Sequence, residues 1–177
     1  LPDFALDDGH RAAVAEAVRL LDGLPLAIEL AAARVRVLSP AQLIAKLRDR
    51  FQVLAGSRGA SARQATLRAA IDWSWDLLVP WEQAAFAQCS VFEGGFTLES
   101  VEAILDLSAY ENAPWPMDAL QSLVHKSFVR EVTDDRFDLL VSVQEYALEH
   151  LRTAARYAGS GPEALRAAEA RHGNYFA

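Results

Sequence analysis

The sequence contains very little cysteine, since Cys89 is the only one among 177 residues. A single cysteine excludes a disulfide framework and any zinc site built from cysteine thiolates, and it favours a reducing compartment. No apolar run approaches the ~20 residues that a membrane-spanning helix needs. Basic side chains are also in the minority, with 17 Lys and Arg against 24 Asp and Glu. This balance argues against a nucleic-acid-binding protein, which usually carries a basic surface.

Hydrophobic residues make up 52% of the chain and charged residues 23%, which indicates a globular protein. Charge is uneven: residues 1–62 carry a net charge of +1 and residues 63–177 a net charge of −8. The first residues do not resemble a signal peptide, because three aspartates lie within the first eight positions. We therefore expect a cytoplasmic segment of a longer protein.

Helical signals dominate the first third of the chain. Gly23 is placed to end one helix and Pro25 to begin the next, and Ser39-Pro40-Ala41-Gln42 has the residues of a capping box. The small-residue stretch 55–61 is typical of a linker. The pattern predicts a helical bundle over 1–56 and a linker over 57–62.

The remainder predicts helices followed by a small β-hairpin. Hydrophobic periodicity changes from 3.6 to 2 near Phe128, which predicts two short strands at 128–133 and 136–141. Helices followed by such a wing suggest a winged helix-turn-helix domain over 63–158. The helical pattern after Ser160 predicts that 159–177 begins a following helical region. The predicted fold class is mainly α.

Four blocks in this order carry a family resemblance. They are LLDGLPLAIELAAAR at 20–34, RQATLRAAIDWSWDLL at 63–78, SVFEGGFTL at 90–98 and LLVSVQEYA at 139–147. Together they resemble the region behind the P-loop domain in signal-transducing STAND ATPases. The nearest likeness is to the predicted ATPases of large bacterial transcriptional regulators, which are cousins of the NB-ARC modules. The resemblance covers essentially the whole chain.

The resemblance implies that residues 1–56 form a lid over bound nucleotide and that the winged helix stabilises an ADP-bound resting state. The lid and the winged helix would clamp ADP or ATP, with Mg²⁺, against an upstream P-loop domain of the same protein, and a helical region would follow downstream. The residues implied to contact the nucleotide are Gly23, Leu24, Pro25 and Leu26. The alternative from the local pattern is an ordinary turn between two helices.

The fourth block departs from the family pattern at its polar positions. Where the family has a histidine, a glutamate and an arginine, this sequence has Leu140, Val141 and Gln144. Leu140 cannot donate a hydrogen bond to a phosphate. Candidate sensor or interdomain residues are Arg63, Arg68, Leu140 and Gln144. The alternatives are a core junction for the fourth block and a solvated helix start for the two arginines.

The chain lacks the P-loop pattern and the acidic strand that binds Mg²⁺. We therefore expect no enzymatic activity from this chain alone and no tight nucleotide binding by it, whereas the resemblance implies an ATPase in the parent protein. The four histidines are scattered, so no metal site is predicted.

Two other functions stay open. The first is a DNA-binding winged helix of a transcriptional regulator, with 116–125 as the recognition helix. That helix offers Asp118, Gln121, Ser122 and His125 but no arginine, and the net charge of −8 makes DNA an unfavourable partner. The second is a protein-interaction scaffold that does not sense nucleotide.

Overall fold

The computed structural model describes residues 8–21, 23–51 and 60–177. Within these ranges the chain is mainly helical and contains one small two-stranded antiparallel sheet. It divides into two compact units, Leu1–Leu77 and Leu78–Ala177. The predicted fold class, helices followed by a winged-helix-like arrangement with a small hairpin, is confirmed.

Four α-helices and a 3₁₀ turn build the described part of the first unit. They are α1 (Asp8–Leu20), α2 (Pro25–Ala32), the turn Ala33–Arg36, α3 (Pro40–Phe51) and α4 (Ala60–Asp76). α1 packs against α3, while α4 packs against α2 and α3. The core between them includes Leu21, Leu30, Leu47 and Ile71, all buried. Burial of each such side chain contributes about 1.5–3 kcal/mol, which holds these short helices together.

The start of α3 contains the predicted capping box. The side-chain hydroxyl of Ser39 accepts a hydrogen bond from the backbone N–H of Gln42 at 3.3 Å, and Oε1 of Gln42 accepts one from the N–H of Ser39 at 2.9 Å. Pro40 occupies the first helical position, where an N–H donor is not needed. The capping box that the sequence indicates is therefore present.

The boundary between the units lies after Leu77, and not in the segment 57–62 where the sequence pattern placed it. α4 already begins at Ala60, so part of the expected linker is helical; residues 52–59 lie outside the described residues. α4 belongs to the first unit because its buried face packs on α2, and because the buried Arg34 of the turn after α2 donates from Nη2 to the carbonyl oxygen of Ser74 in α4 at 3.2 Å. The predicted domains 1–56 and 63–158 therefore differ from the two observed units.

The second unit has the element order of a winged helix. Its elements are α5 (Pro80–Gln88), a 3₁₀ turn (Cys89–Val91), α6 (Leu98–Ile104), α7 (Pro116–His125), β1 (Arg130–Thr133), β2 (Arg136–Asp138), α8 (Val141–Arg152) and α9 (Pro162–Phe176). α7 packs on both α5 and α6, and the hairpin follows it. Both strands are shorter than the predicted ranges 128–133 and 136–141.

The hairpin β1–β2, called the wing below, is extended by one residue of the preceding chain. Phe96 and Phe137 exchange both backbone hydrogen bonds, at 2.9 and 2.8 Å. Gly95 precedes this bridge with φ of +93°, a conformation that favours glycine. A Cβ atom at Gly95 would lie 3.1 Å from the carbonyl oxygen of Phe137. Glycine is therefore what lets this chain approach the wing closely.

Aromatic rings continue from the wing to α9. The ring centroids of Phe137 and Phe96 are 6.1 Å apart, those of Phe96 and Phe92 4.4 Å, and those of Phe92 and His172 5.8 Å. Phe176 completes the row at 4.8 Å from His172. Pairs at such distances contribute about 0.5–1.5 kcal/mol beyond burial. This aromatic row joins β2 to the last helix.

α9 is part of the second unit. The sequence pattern had instead predicted that residues 159–177 only begin a following helical region. It packs on α6 and α8. Arg171 fixes it there, because Nε donates to the carbonyl oxygen of Ile104 at 2.6 Å and Nη2 donates to Oε1 of Gln88 at 2.9 Å. Two charge-assisted hydrogen bonds from one guanidinium hold the helix in a defined register.

Candidate functional site

The turn between α1 and α2 contains the residues implied to contact nucleotide. Gly23 has φ of +65°, and its N–H donates to the carbonyl oxygen of Val18 at 3.0 Å. Leu24 precedes α2, and Pro25 is the first residue of that helix. Gly23 and Pro25 are exposed, whereas Leu24 and Leu26 are half-buried. The four residues thus lie together on one accessible turn, and the ending of α1 and beginning of α2 account for its geometry.

The fourth block lies at the start of α8, and its Gln144 forms a clamp, meaning here a pair of hydrogen bonds between α8 and the chain after α5. Leu140 is the half-buried residue that precedes α8. The side-chain amide of Gln144 donates from Nε2 to the carbonyl oxygens of Ser90 at 3.1 Å and Phe92 at 2.6 Å. A glutamine amide has only two N–H donors, and both are used here. Gln144 therefore ties α8 to the chain after α5 and has no donor left for a phosphate.

The two arginines predicted near the lid both lie on α4. The side chain of Arg63 lies outside the described residues. Arg68 forms an ion pair with Asp72 one helical turn later, with Nε 3.5 Å from Oδ1. Ion pairs of this exposed kind contribute about 0.2–1 kcal/mol. Arg63, Arg68 and the 23–26 turn lie in the first unit, and Leu140 and Gln144 in the second.

The end of α7, where a recognition helix would present cations to DNA, is tied to a buried carboxylate. Glu82 in α5 is 2% exposed. Its Oε2 accepts the N–H of Val79 at 2.9 Å, and its Oε1 accepts hydrogen bonds from Ser122 and from the ammonium of Lys126. Sequence reasoning missed Glu82; the available signal was a carboxylate in the first turn after Pro80. Lys126 is thus directed at α5.

The arginines of the wing are also engaged within the second unit. Arg130 donates to both carboxylate oxygens of Asp138, from Nε at 2.9 Å and from Nη2 at 2.7 Å. Arg136 donates from Nη2 to the carbonyl oxygen of Gly94 at 3.3 Å. The bidentate pair joins the two strands at their outer ends, where Arg130 and Asp138 face each other. Both side chains therefore stabilise the wing.

The wing exposes three carboxylates. Glu131, Asp134 and Asp135 are exposed, and the described residues form no ion pair with them. On α7 the exposed polar positions are Asp118, Gln121 and His125. Such a surface offers carboxylates where DNA presents phosphates, so it repels a nucleic-acid backbone.

Two classes of site find no support in the part of the chain that the structure describes. No group of three or more His, Cys, Asp or Glu side chains there could hold a metal ion. None of the helices described is both long and apolar enough to cross a bilayer.

Comparison with known proteins finds relatives in mycobacteria. Proteins of Mycobacterium tuberculosis and Mycobacterium bovis, each named "Putative HTH-type transcriptional regulator", are 45% identical to this chain in an alignment of 184 positions, which covers 99% of the chain and 19% of each regulator. An uncharacterized protein of Mycobacterium tuberculosis is 41% identical over 158 residues, which are 84% of the chain and 39% of that protein. The chain therefore spans about a fifth of the length of the regulators that it matches.

Two further comparisons find nothing. No family model matches the chain. No solved structure matches it either. The mycobacterial regulators and the uncharacterized protein are thus what this chain is similar to.

Proposed function

We propose that this chain is a module of an HTH-type transcriptional regulator and that its winged helix contacts protein and not DNA. The names of the relatives at 45% identity support the first part. The second part is carried by one observation: Lys126, Arg130 and Arg136 all have partners inside the second unit.

The energetics of DNA binding favour this assignment. Affinity for DNA comes largely from neutralising phosphates with Lys and Arg, which releases counterions. Lys126 would have to leave the carboxylate of Glu82, and an unpaired charge on a buried carboxylate costs several kcal/mol. Arg130 would leave Asp138, adding another carboxylate to the acidic wing. Phosphate contacts by Lys126 and by Arg130 would therefore each begin with an unfavourable step.

The test is retardation of a labelled duplex by the full chain at low salt. We expect no retardation at ~10 µM protein in ~50 mM salt, conditions in which DNA-binding modules already bind non-specifically. A triple variant, Glu131→Lys, Asp134→Lys and Asp135→Lys, is the matched control, because it makes the same wing basic. Binding by the variant and not by the native chain supports the proposal. Retardation by the native chain with a steep salt dependence, abolished by Lys126→Met, contradicts it.

A second candidate function is the nucleotide-dependent switch that the family resemblance implies. The accessible turn 23–26 favours it, because Pro25 and Leu26 at a helix start offer a flat apolar surface to a base. The turn offers no charged side chain for the phosphates, and the sequence has no P-loop. ATP or ADP and Mg²⁺ would therefore be held mainly by an upstream domain, with this chain as a lid.

This second candidate is tested in the longer parent protein. ADP affinity is measured for its upstream domain alone, for the protein that includes residues 1–177, and for that protein with Pro25→Ala. A lid tightens ADP binding several-fold, and Pro25→Ala reverses part of the gain. Glu99→Gln is the control, since it removes an exposed charge of the second unit and should leave ADP affinity unchanged. Equal ADP affinity in all forms would exclude the nucleotide switch and would leave the proposed protein-contacting module unaffected.

A further inference from the structure

A small cleft lies in the second unit, between α5, the segment 106–110, the turn 157–159 and α9. Its volume is about 170 Å³. This is below the roughly 300–1,000 Å³ of pockets for drug-sized ligands, so it suits a smaller molecule. Alanine methyl groups from α5, α9 and the two connecting segments provide its apolar wall; they are Ala84, Ala109, Ala158, Ala164 and Ala167.

Two opposite charges line this cleft without pairing with each other. Oδ1 of Asp106 accepts the N–H of Ser108 at 3.0 Å and its hydroxyl at 2.6 Å, whereas Oδ2 has no hydrogen-bond partner among the described residues. Arg171 uses Nε and Nη2 for Ile104 and Gln88, and the same residues offer no partner to its Nη1. The described residues show no direct ion pair between Asp106 and Arg171. Asp106 and Arg171, which both hydrogen-bond to Oε1 of Gln88, therefore each line the cleft with one charged atom that has no hydrogen-bond partner in this part of the chain.

Hydrogen bonds between distant segments hold these two groups in place. The side chain of Gln88 donates to the carbonyl oxygen of Asp106 at 2.8 Å and accepts the N–H of Asp106 at 2.8 Å. The hydroxyl of Tyr110 donates to the carbonyl oxygen of Ala158, which links the segment 106–110 to the turn 157–159. The cleft is thus built before any ligand arrives, and preorganisation lowers the cost of binding.

The protonation states of Asp106 and Tyr110 at neutral pH are those that this cleft requires. Hydrogen bonds from the hydroxyl and the N–H of Ser108, together with the charge of Arg171, hold the pKa of Asp106 below its ordinary value. Asp106 is therefore a carboxylate at neutral pH. Burial raises the pKa of Tyr110, so its hydroxyl keeps its proton and continues to donate.

We propose that this cleft binds a small zwitterion of the α-amino-acid type. Its ammonium group would lie on Asp106, its carboxylate on Nη1 of Arg171, and a short apolar side chain among the alanine methyl groups. A simple anion would be repelled by Asp106 and a simple cation by Arg171, whereas a zwitterion satisfies both charges at once. This inference does not rest on the function proposed above.

The test uses the full chain labelled with ¹⁵N and three probes of similar shape. L-Leucine carries both charges, isocaproate lacks the ammonium group, and isoamylamine lacks the carboxylate. We expect leucine to shift the amide signals of residues 106–110, 158 and 171 in a saturable manner, with a dissociation constant of about 1 mM. The two analogues should bind at least about tenfold more weakly than leucine. No shift up to ~20 mM leucine, or equal shifts from all three probes, overturns the proposal.

Asp106→Asn provides the decisive variant, because it removes the charge of an exposed residue and keeps an oxygen for Ser108. It should weaken leucine binding about tenfold while isocaproate binding rises, since repulsion is gone. Asp118→Asn, an exposed carboxylate of α7 that does not line the cleft, is the control and should change neither. Unchanged leucine affinity in Asp106→Asn would show that the ammonium subsite does not exist.

Discussion

The ammonium of Lys126, just past the end of α7, lies on the carboxylate of Glu82 in α5. Glu82 is almost fully buried, while the Lys126 side chain is 27% exposed. The helix that a DNA-binding winged helix inserts into a groove is here joined to its neighbour through a charged group at its end. The pair therefore belongs to the packing of the second unit.

Glu82→Gln should lower the free energy of unfolding by about 1–3 kcal/mol, because Lys126 loses its charged partner but can still turn toward water. Urea denaturation followed by tryptophan fluorescence measures the change. Glu99→Gln, an exposed carboxylate in α6, should stay within about 0.5 kcal/mol of the native chain. Equal stability of the two variants would mean that Lys126 and Glu82 contribute nothing to the fold.

Gln144→Leu should destabilise the second unit by about 1–3 kcal/mol, since the carbonyl oxygens of Ser90 and Phe92 lose their donor. Gln144→Glu should cost more, because a carboxylate oxygen would then face two carbonyl oxygens. Thermal unfolding of both variants tests this order. Glu145→Gln, an exposed neighbour, is the reference. If Gln144→Glu were the more stable variant, the clamp would be wrongly assigned.

Gly95→Ala and Gly173→Ala form a matched pair with opposite expected signs. At Gly95 the φ of +93° and the carbonyl oxygen of Phe137 only 3.1 Å from a new Cβ predict a loss of about 1–3 kcal/mol. Gly173 lies in α9 with open space around it, so alanine there should add about 0.4–1 kcal/mol. Chemical denaturation of both variants decides the question. A neutral Gly95→Ala would show that the bridge to the wing adjusts freely.

Cys89 should be inert toward thiol reagents in the folded protein, because burial raises its pKa to about 12 from an ordinary 9.0. The thiolate, which is the reactive form, is then scarce at pH 8. Above pH 9 the unfolded chain loses this proton and the folded one does not, so stability should fall as pH rises from 9 toward 12. Ellman's reagent, with and without urea, measures the first effect. Cys89→Ala, which removes the contribution of the thiol to the pH dependence, is the control for the second.

Features whose partners are close in sequence could be predicted. Ser39 and Gln42 bond across three positions, and the wing follows from a local change of hydrophobic period. The helical residues 60–62 were predicted as part of the linker, since Ala60 and its small neighbours resemble one although alanine is the strongest helix former.

The contacts that define the candidate sites join distant segments. Gln144 bonds to carbonyl groups 52 and 54 positions earlier, and Glu82 meets Lys126 across 44 positions. No local pattern reports such pairs. The glutamine could therefore be read as a family position but not as a clamp, and the cleft between Asp106 and Arg171 leaves no trace in the sequence.

The aromatic row links the packing of the wing to the packing of the end of α9. Flat rings in contact cannot slide separately without losing their packing. Phe176, which is 58% exposed, lies at one end of the row, and Phe137 in β2 lies at the other. Removing the Phe92 ring from the middle of the row would therefore take away a contact on the wing side, with Phe96, and one on the α9 side, with His172.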